Sequence, residues 1–386
     1  MADGDALIPA LISIVVPAYN RPEQLFEAIQ SCFDQQYRPI EILVSDDSAD
    51  DAVGEMVAAI EPPPGISLAY RRNRPGKGQS GNVNALFAMA RGRRLVILHD
   101  DDLLLPGGLD RLDEEWRAFA DPVCVFGKQV VIHEDGAVAI GETLAVNRRY
   151  HRARKPTAVQ RPSETVGLLQ QIPNDCFLVD AALARSVGYR PESEVGLAAD
   201  SDFGIRLALA APDREFVLVD AYVSAYRINR DSMMRWTHRN QAHPLMFVAV
   251  EQLRLPPEAE NARRIYLNRL GPAAVLDAAN AGDLALARRI FRSTHYRRSP
   301  VSVHRLVAMI SIASPTLGAA LRPFLKSAVH AMRRWPWRWP SAQERLPRRD
   351  RAIERAAIQA VMRHHVACVR ARRAAFTGLA RGRATA

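Results

Sequence analysis

Cysteine is scarce in this 386-residue chain: four, at positions 32, 124, 176 and 368, with no C-x-x-C pair. That spacing indicates neither a zinc knuckle nor a disulfide framework and fits a reducing, cytoplasmic setting. Nor is there a run that spans a bilayer. Leu306 to Leu321 carries no charge, but it is 16 residues long and holds Pro315 and Gly318. A spanning helix needs about 20 apolar residues, so an amphipathic or buried helix is expected there. The first apolar stretch, Leu7 to Val16, lacks a basic flank, following Asp3 and Asp5 and running straight into Pro17 and Asn20. It reads as a buried strand rather than a signal peptide. Internal repeats and low-complexity tracts are absent.

What is present is a globular composition, 48% hydrophobic and 24% charged, with a net charge of +10. The excess is local: from Arg333 to the end there are 14 Arg, no Lys and 3 acids, whereas the first 332 residues hold 38 basic and 39 acidic residues. The neutral body does not indicate the broad basic face of a nucleic-acid binder.

From Leu11 the chain alternates strand-like and helix-like segments: Ile12–Val16, a helix over 22–33, Ile40–Val44, a helix over 53–60, Ile66–Tyr70, a helix over 83–90 and Leu95–Leu98. Such alternation predicts an α/β fold with a mostly parallel sheet flanked by helices. In these sheets ligands bind beyond the carboxyl ends of the strands. Those ends are polar here, with Pro17-Ala18-Tyr19-Asn20, Ser45-Asp46-Asp47-Ser48 and His99-Asp100-Asp101-Asp102. Five acids at two neighbouring strand ends repel one another unless a cation or ligand joins them. Past Asp121 a strand over 123–131, an exposed Arg-rich loop over 148–161 and a helix entry over 196–209 follow. From His243 to about Arg297 the composition is helical, broken at Pro256 and Gly282, with a boundary placed near Thr237.

The Asp100–Asp102 trio suits a hard cation, Mn²⁺ or Mg²⁺, carrying a diphosphate; the plainer alternative is an acidic turn in which Asp102 caps the next helix. Gly76, Gly78 and Gly81 match G-x-G-x-x-G, which raises an NAD(P)-dependent oxidoreductase as a second reading. That fingerprint normally joins the first strand to the first helix, and here two strand-helix pairs precede it; the loop and Lys77 can still hold phosphate. Asp200 and Asp202 precede an apolar helix. One carboxylate suffices as a cap, which leaves the other available as a general base.

Taken in order, Ile14-Val15-Val16-Pro17-Ala18-Tyr19-Asn20, Ile42-Leu43-Val44-Ser45-Asp46-Asp47-Ser48, Ile97-Leu98-His99-Asp100-Asp101-Asp102 and Ala199-Asp200-Ser201-Asp202 resemble the family 2 glycosyltransferases of GT-A fold. The resemblance covers about residues 11–236. It implies an inverting transfer of a sugar from a nucleotide-diphosphate donor, a UDP- or dTDP-sugar, to an acceptor hydroxyl. By position, Tyr19 packs on the base, Asp47 bonds it beside Asp46, and Pro17 and Asn20 shape that wall. Asp100 holds the ribose and Asp101 the metal, with Asp102 a second candidate ligand. Asp200 falls at the catalytic base, supported by Asp202. Two positions depart from the family: Ala199 stands where Glu is frequent, and Asn229 where His is usual, so Arg227 and Arg230 are expected to steady the diphosphate instead. A processive Q-x-x-R-W signature is missing, which implies single addition.

Three regions are expected: a catalytic domain over 1–236, with its nucleotide-sugar half about 11–120 and acceptor half about 121–236; a helical region over 237–332; and a basic tail over 333–386. In the tail, Arg333, Arg334 and Arg338 interleave with Trp335, Trp337 and Trp339, a pattern suited either to anionic lipid at the inner membrane face, beside a glycan or lipid-linked acceptor, or to packing on the body. The third reading is a non-catalytic nucleotide-sugar or RNA-binding module.

Overall fold

Ile12, Ile14, Val15 and Val16 are all fully buried, so the first β-branched run is covered on both faces, as a central parallel strand must be. The computed structural model describes residues 10–153, 155–228, 241–296, 303–318, 320–321, 354–359, 372 and 376. The chain divides into two compact units, Met1–Arg190 with Phe203–Asn229 and Ala356–Ala386, and Pro191–Asp202 with Arg230–Arg355.

The first unit begins with β1 (Ile12–Ala18), α1 (Pro22–Phe33), β2 (Ile40–Asp46), α2 (Ala52–Ala58), β3 (Ile66–Arg72), α3 (Gly78–Met89) and β4 (Arg94–Ile97). Then come β5 (Leu103–Leu104), α4 (Gly108–Ala118), β6 (Pro122–His133), α5 (Ile140–Arg149), β7 (Ala158–Gln160), α6 (Ser163–Leu168), β8 (Leu178–Asp180) and α7 (Ala181–Val187). After α8 (Glu192–Val195) of the second unit, α9 (Ala199–Ala210) holds the boundary between the units, and β9 (Glu215–Ile228) returns to the first.

The sheet runs β3-β2-β1-β4-β8-β6-β9-β5, with β7 also paired to β9. β1, β2, β3 and β4 are parallel, as the alternation predicts, so their carboxyl ends open along one edge. β2 and β4 flank β1, so the two acid-bearing ends are separated by one strand instead of being neighbours. Beyond β4 the sheet is mixed: β8 is antiparallel to β4 and β6, while β6 and β9 are parallel. The register of that last pair slips around Gly127, where a Cβ would stand 2.8 Å from Val223 Cγ1 and 2.9 Å from the Ala221 carbonyl oxygen. Only glycine fits that approach.

The glycine loop joins β3 to α3, not β1 to α1, so it lies outside the position a dinucleotide fingerprint occupies. The Arg-rich stretch is not simply an exposed loop. Arg148 and Arg149 close α5, residues 158–160 form β7, and Arg152 is 1% exposed. Its guanidinium sits over the Tyr150 ring at 5.4 Å and donates to Gln129 Oε1 at 3.2 Å, and burial pulls its pKa down to about 10.

The second unit is helical beyond α8: α10 (Ala242–Glu251), α11 (Glu260–Asn280), α12 (Leu284–Arg292) and α13 (Val303–Ala313). Met246, Phe247 and Val250 of α10 and Tyr266, Leu267, Ala274 and Val275 of α11 are buried, and α10 packs on α11. Gly282, at φ +84°, turns the chain from α11 into α12. The tail is packed in part: Ile358 is buried with Leu103, Val130, Ile132 and Leu144, the Phe376 ring packs tilted against Phe26 at 5.6 Å, and Arg372 pairs with Asp34. The boundary near Thr237 and the Arg-Trp segment over 333–339 lie outside the described residues.

Candidate active site

Three parallel strands deliver the first-half candidates to one edge. At the end of β1, Pro17 is half-buried in register with Ser45, and Tyr19 follows, 60% exposed. Asn20 adopts φ +53°, a left-handed conformation Asn tolerates, and its N–H donates to Ser48 Oγ at 2.8 Å. The Tyr19 N–H donates to Asp100 Oδ2 at 2.8 Å, tying the β1 end to the β4 end.

At the end of β2 every carboxylate oxygen has a donor. Asp46 is fully buried; Oδ1 accepts the Ser48 N–H and Oδ2 the Tyr70 hydroxyl, both at 2.8 Å. Asp47 Oδ1 accepts Asn73 Nδ2 at 2.8 Å, and Oδ2 accepts the Lys77 N–H at 3.0 Å. Lys77 itself is exposed at the start of α3. Asp47 thus holds the glycine loop against the strand end through backbone, and Asn73, which also donates to Ser45 Oγ at 2.9 Å and Asn82 Oδ1 at 3.1 Å, centres that network.

The end of β4 is crowded with like charge. Arg21 Nη1 bridges Asp100 Oδ1 at 3.1 Å and Asp101 Oδ2 at 2.8 Å. Burial, then the charge of Asp101, pushes the Asp100 pKa up to about 6 against Arg21 and the Tyr19 N–H. Asp102, 1% exposed, is raised well above the ordinary carboxylate range by burial and by the neighbouring Asp175 and Asp101. Its Oδ1 accepts the Arg227 N–H at 2.6 Å, whereas its buried Oδ2 has no hydrogen-bond partner and lies 3.8 Å from His99 Nδ1. Ligand atoms of His99, Asp101 and Asp102 all lie within 4.8 Å of one another. Two carboxylates and an imidazole around an orphaned buried oxygen fit a hard divalent cation such as Mn²⁺ or Mg²⁺.

Arg227, expected at the diphosphate, has its guanidinium bonded within the protein. Its guanidinium, 1% exposed, is committed to Glu27 Oε2 at 2.5 Å, the Asp101 carbonyl at 2.8 Å and the Glu134 carbonyl at 3.1 Å. It braces the acidic turn, and among the described residues Arg21 is the cation paired with Asp100 and Asp101. Asn229 and Arg230 lie outside the described residues. Asp200 and Asp202 occupy the first turn of α9 in the second unit, Asp200 half-buried and Asp202 2% exposed.

Four residues escaped the sequence reading. Arg21 directly follows the β1 motif and His99 directly precedes the acid trio, so both were visible but carried no role. Asp175 is fully buried, its Oδ1 accepting Gln129 Nε2 at 3.1 Å and its Oδ2 the His99 N–H at 3.4 Å. Its signal was an acid set inside an apolar run, Asn174-Asp175-Cys176-Phe177-Leu178. Asn73 had none beyond its place after a strand.

Residues 13–160 match the family model described as glycosyl transferase family 2. The succinoglycan biosynthesis protein ExoO of Rhizobium meliloti (strain 1021) is 36% identical over 120 residues, 31% of this chain and 34% of that protein. The GalNAc(5)-diNAcBac-PP-undecaprenol beta-1,3-glucosyltransferase of Campylobacter jejuni subsp. jejuni serotype O:2 is 33% identical over 101 residues, 26% of this chain and 33% of that protein. The chain thus spans about a third of the length of these curated relatives. A mannosyltransferase from Pyrobaculum calidifontis, solved with GDP-Man and Mn²⁺, shares the fold at a TM-score of 0.53 and 17% identity, over 92% of this chain and 88% of that one. The likeness to glycosyl transferase family 2 thus lies in residues 13–160, on a GT-A-like fold with a helical C-terminal region.

Proposed function

We propose that the chain is an inverting, metal-dependent glycosyltransferase that adds a single sugar from a UDP- or dTDP-sugar to an acceptor hydroxyl, in cell-envelope polysaccharide or glycolipid synthesis. The observation that carries this reading is the β4 end, where His99, Asp101 and Asp102 converge and a buried Asp102 oxygen has no hydrogen-bond partner. Bound there, Mn²⁺ or Mg²⁺ would neutralise charge growing on the leaving diphosphate. Tyr19, exposed at the β1 end, offers an aromatic face to the base, and Asp100 is the ribose contact. Asp47 fixes the wall and the glycine loop beside the donor, with Lys77 exposed on that loop.

Asp200 is assigned the general base, taking the proton from the acceptor hydroxyl as it attacks the anomeric carbon from the face opposite the diphosphate; Asp202 supports it. Single displacement inverts that centre. The catalytic domain is taken as residues 1–236, followed by the helical region. A lipid-linked acceptor at the inner membrane face fits the PP-undecaprenol acceptor named for the Campylobacter jejuni relative. No helix among the described residues is long and apolar enough to cross a membrane, so the association proposed is peripheral.

The test is Asp200→Asn assayed with a panel of UDP- and dTDP-sugars. Transfer should fall by about a hundredfold to ten-thousandfold, with donor binding kept and wild-type product inverted by NMR. Near-normal turnover would remove Asp200 from the base role, and a retained anomeric configuration would overturn the mechanism.

A further inference from the structure

Among the described residues the large apolar side chains standing exposed are Tyr19, Leu306, Met309 and Leu317. Tyr19 is at the proposed donor wall; the other three fall within twelve residues of the second unit. On α13, Val307, Ala308 and Ser311 are buried, and the helix packs on α11 and α12. Leu306, Met309 and Ala313 are exposed along the opposite stripe, spaced three and four residues apart, and Leu317 follows in the next short helical turn. A surface helix normally turns a polar face to water. This one is apolar on both faces, and Leu306–Leu321 contains no charged residue at all.

The sequence on both sides of α13 is basic. Between Leu284 and Gln343 there are eleven Arg and Lys and no Asp or Glu. Arg288, Arg289 and Arg292 are exposed on α12, which packs on α13; Arg289 pairs with Glu251 at 3.0 Å. Arg305 lies half-buried over the Phe291 ring at 5.0 Å. A second copy of this chain would bring like charge against like charge. A nucleic acid would leave the apolar stripe unused. An anionic bilayer satisfies both features, taking apolar side chains into the headgroup boundary and cations at its phosphates.

We infer that α12 and α13 form a membrane-docking face, with Leu306, Met309 and Leu317 inserted at the boundary and Arg288 and Arg292 set toward anionic headgroups. This deepens the peripheral reading, on which it rests, by placing the anchor on α12 and α13 instead of in the Arg333–Trp339 segment alone.

The experiment is flotation of the full chain with phosphatidylcholine vesicles, with and without phosphatidylglycerol. Wild type should float with the anionic vesicles only, and less as salt rises. The triple variant Leu306→Ser, Met309→Ser, Leu317→Ser should bind at least about tenfold more weakly at unchanged melting temperature, because it alters exposed groups. Arg288→Gln with Arg292→Gln provides a second, charge-only variant, expected to bind a few-fold more weakly at low salt. Equal flotation of the triple variant would overturn this docking face while sparing peripheral binding through the tail. No flotation of wild type would overturn both and leave sugar transfer untouched, since Mn²⁺-dependent nucleotide binding is measured without vesicles. Wild type sedimenting as a dimer that the triple variant converts to monomer would assign the face to self-association instead.

Discussion

The ends of β2 and β4 carry the same residue type in the same architectural position, yet they are built in opposite ways. At β2, Asp46 and Asp47 spend all four oxygens on the donors of Ser48, Tyr70, Asn73 and Lys77. At β4, Asp102 keeps a buried oxygen without a hydrogen-bond partner, beside Asp101 and Asp175, and Arg21 is the counter-charge to Asp100 and Asp101. Burial of a carboxylate is tolerable when hydrogen bonds replace water, and costly when like charges crowd it. A satisfied pair therefore reads as framework, and a crowded one as a place where a cation belongs.

The largest effect that sharpens this contrast is expected from Asp102→Asn, which keeps the acceptor for the Arg227 N–H and removes only the charge. Mn²⁺ affinity, measured by titration calorimetry, should fall by about a hundredfold or more. The melting temperature should hold or rise, because one of several buried like charges is gone. Asp46→Ala inverts the pattern. Stability should drop by about 1–3 kcal/mol in urea unfolding, since two donors lose a buried acceptor, with Mn²⁺ affinity unchanged within about twofold.

Arg21→Met should act in the opposite direction from Asp102→Asn. Removing a cation that bridges Asp100 and Asp101 should tighten Mn²⁺ binding by roughly threefold to tenfold, read from the same titration; weaker binding would mean that Arg21 holds the acids in place instead of opposing the metal. The smallest effect concerns the other end of β2. Burial opposes ionisation of Glu41, but the Ser13 hydroxyl at 2.5 Å, the Arg91 N–H at 2.6 Å and Arg91 Nε at 2.7 Å outweigh it and hold its pKa below the usual glutamate value. A depressed folded-state pKa gives stability that is present above the unfolded pKa and lost as pH falls through the folded one. Glu41→Gln should thus be destabilising at neutral pH and progressively less so in acid, checked by urea unfolding across the acid range.

Much of the first half was legible in the sequence because each signal was local. β-branched runs bounded by turn residues marked β1 to β4, and parallel alternation placed their polar ends on one edge. What the sequence reading missed was set by packing between distant segments. Arg152 looked like part of a solvated Arg-rich loop, but Gln129 and Tyr150 enclose it. Arg227 looked like a diphosphate contact, yet Glu27, 200 positions away, captures its guanidinium. The residues of Glu215–Ile228 favour β structure, but only pairing with β6, nearly a hundred positions away, makes them the strand that completes the mixed half of the sheet. Charge counting misled in a similar way: the tail carries most of the basic excess, but the acid-free stretch already begins at Leu284.

The most direct test of the central claim is thermal unfolding of the full chain with UDP, dTDP, GDP and NAD⁺, each with and without Mn²⁺. A ligand present at a hundred times its dissociation constant adds about 2.7 kcal/mol of stability. The β4 site predicts that one nucleoside diphosphate stabilises the protein only when Mn²⁺ is present, and that Asp102→Asn abolishes the response while Asp46→Ala keeps it. Stabilisation by NAD⁺ alone, or a nucleotide response that is indifferent to Mn²⁺ and to Asp102, would contradict it.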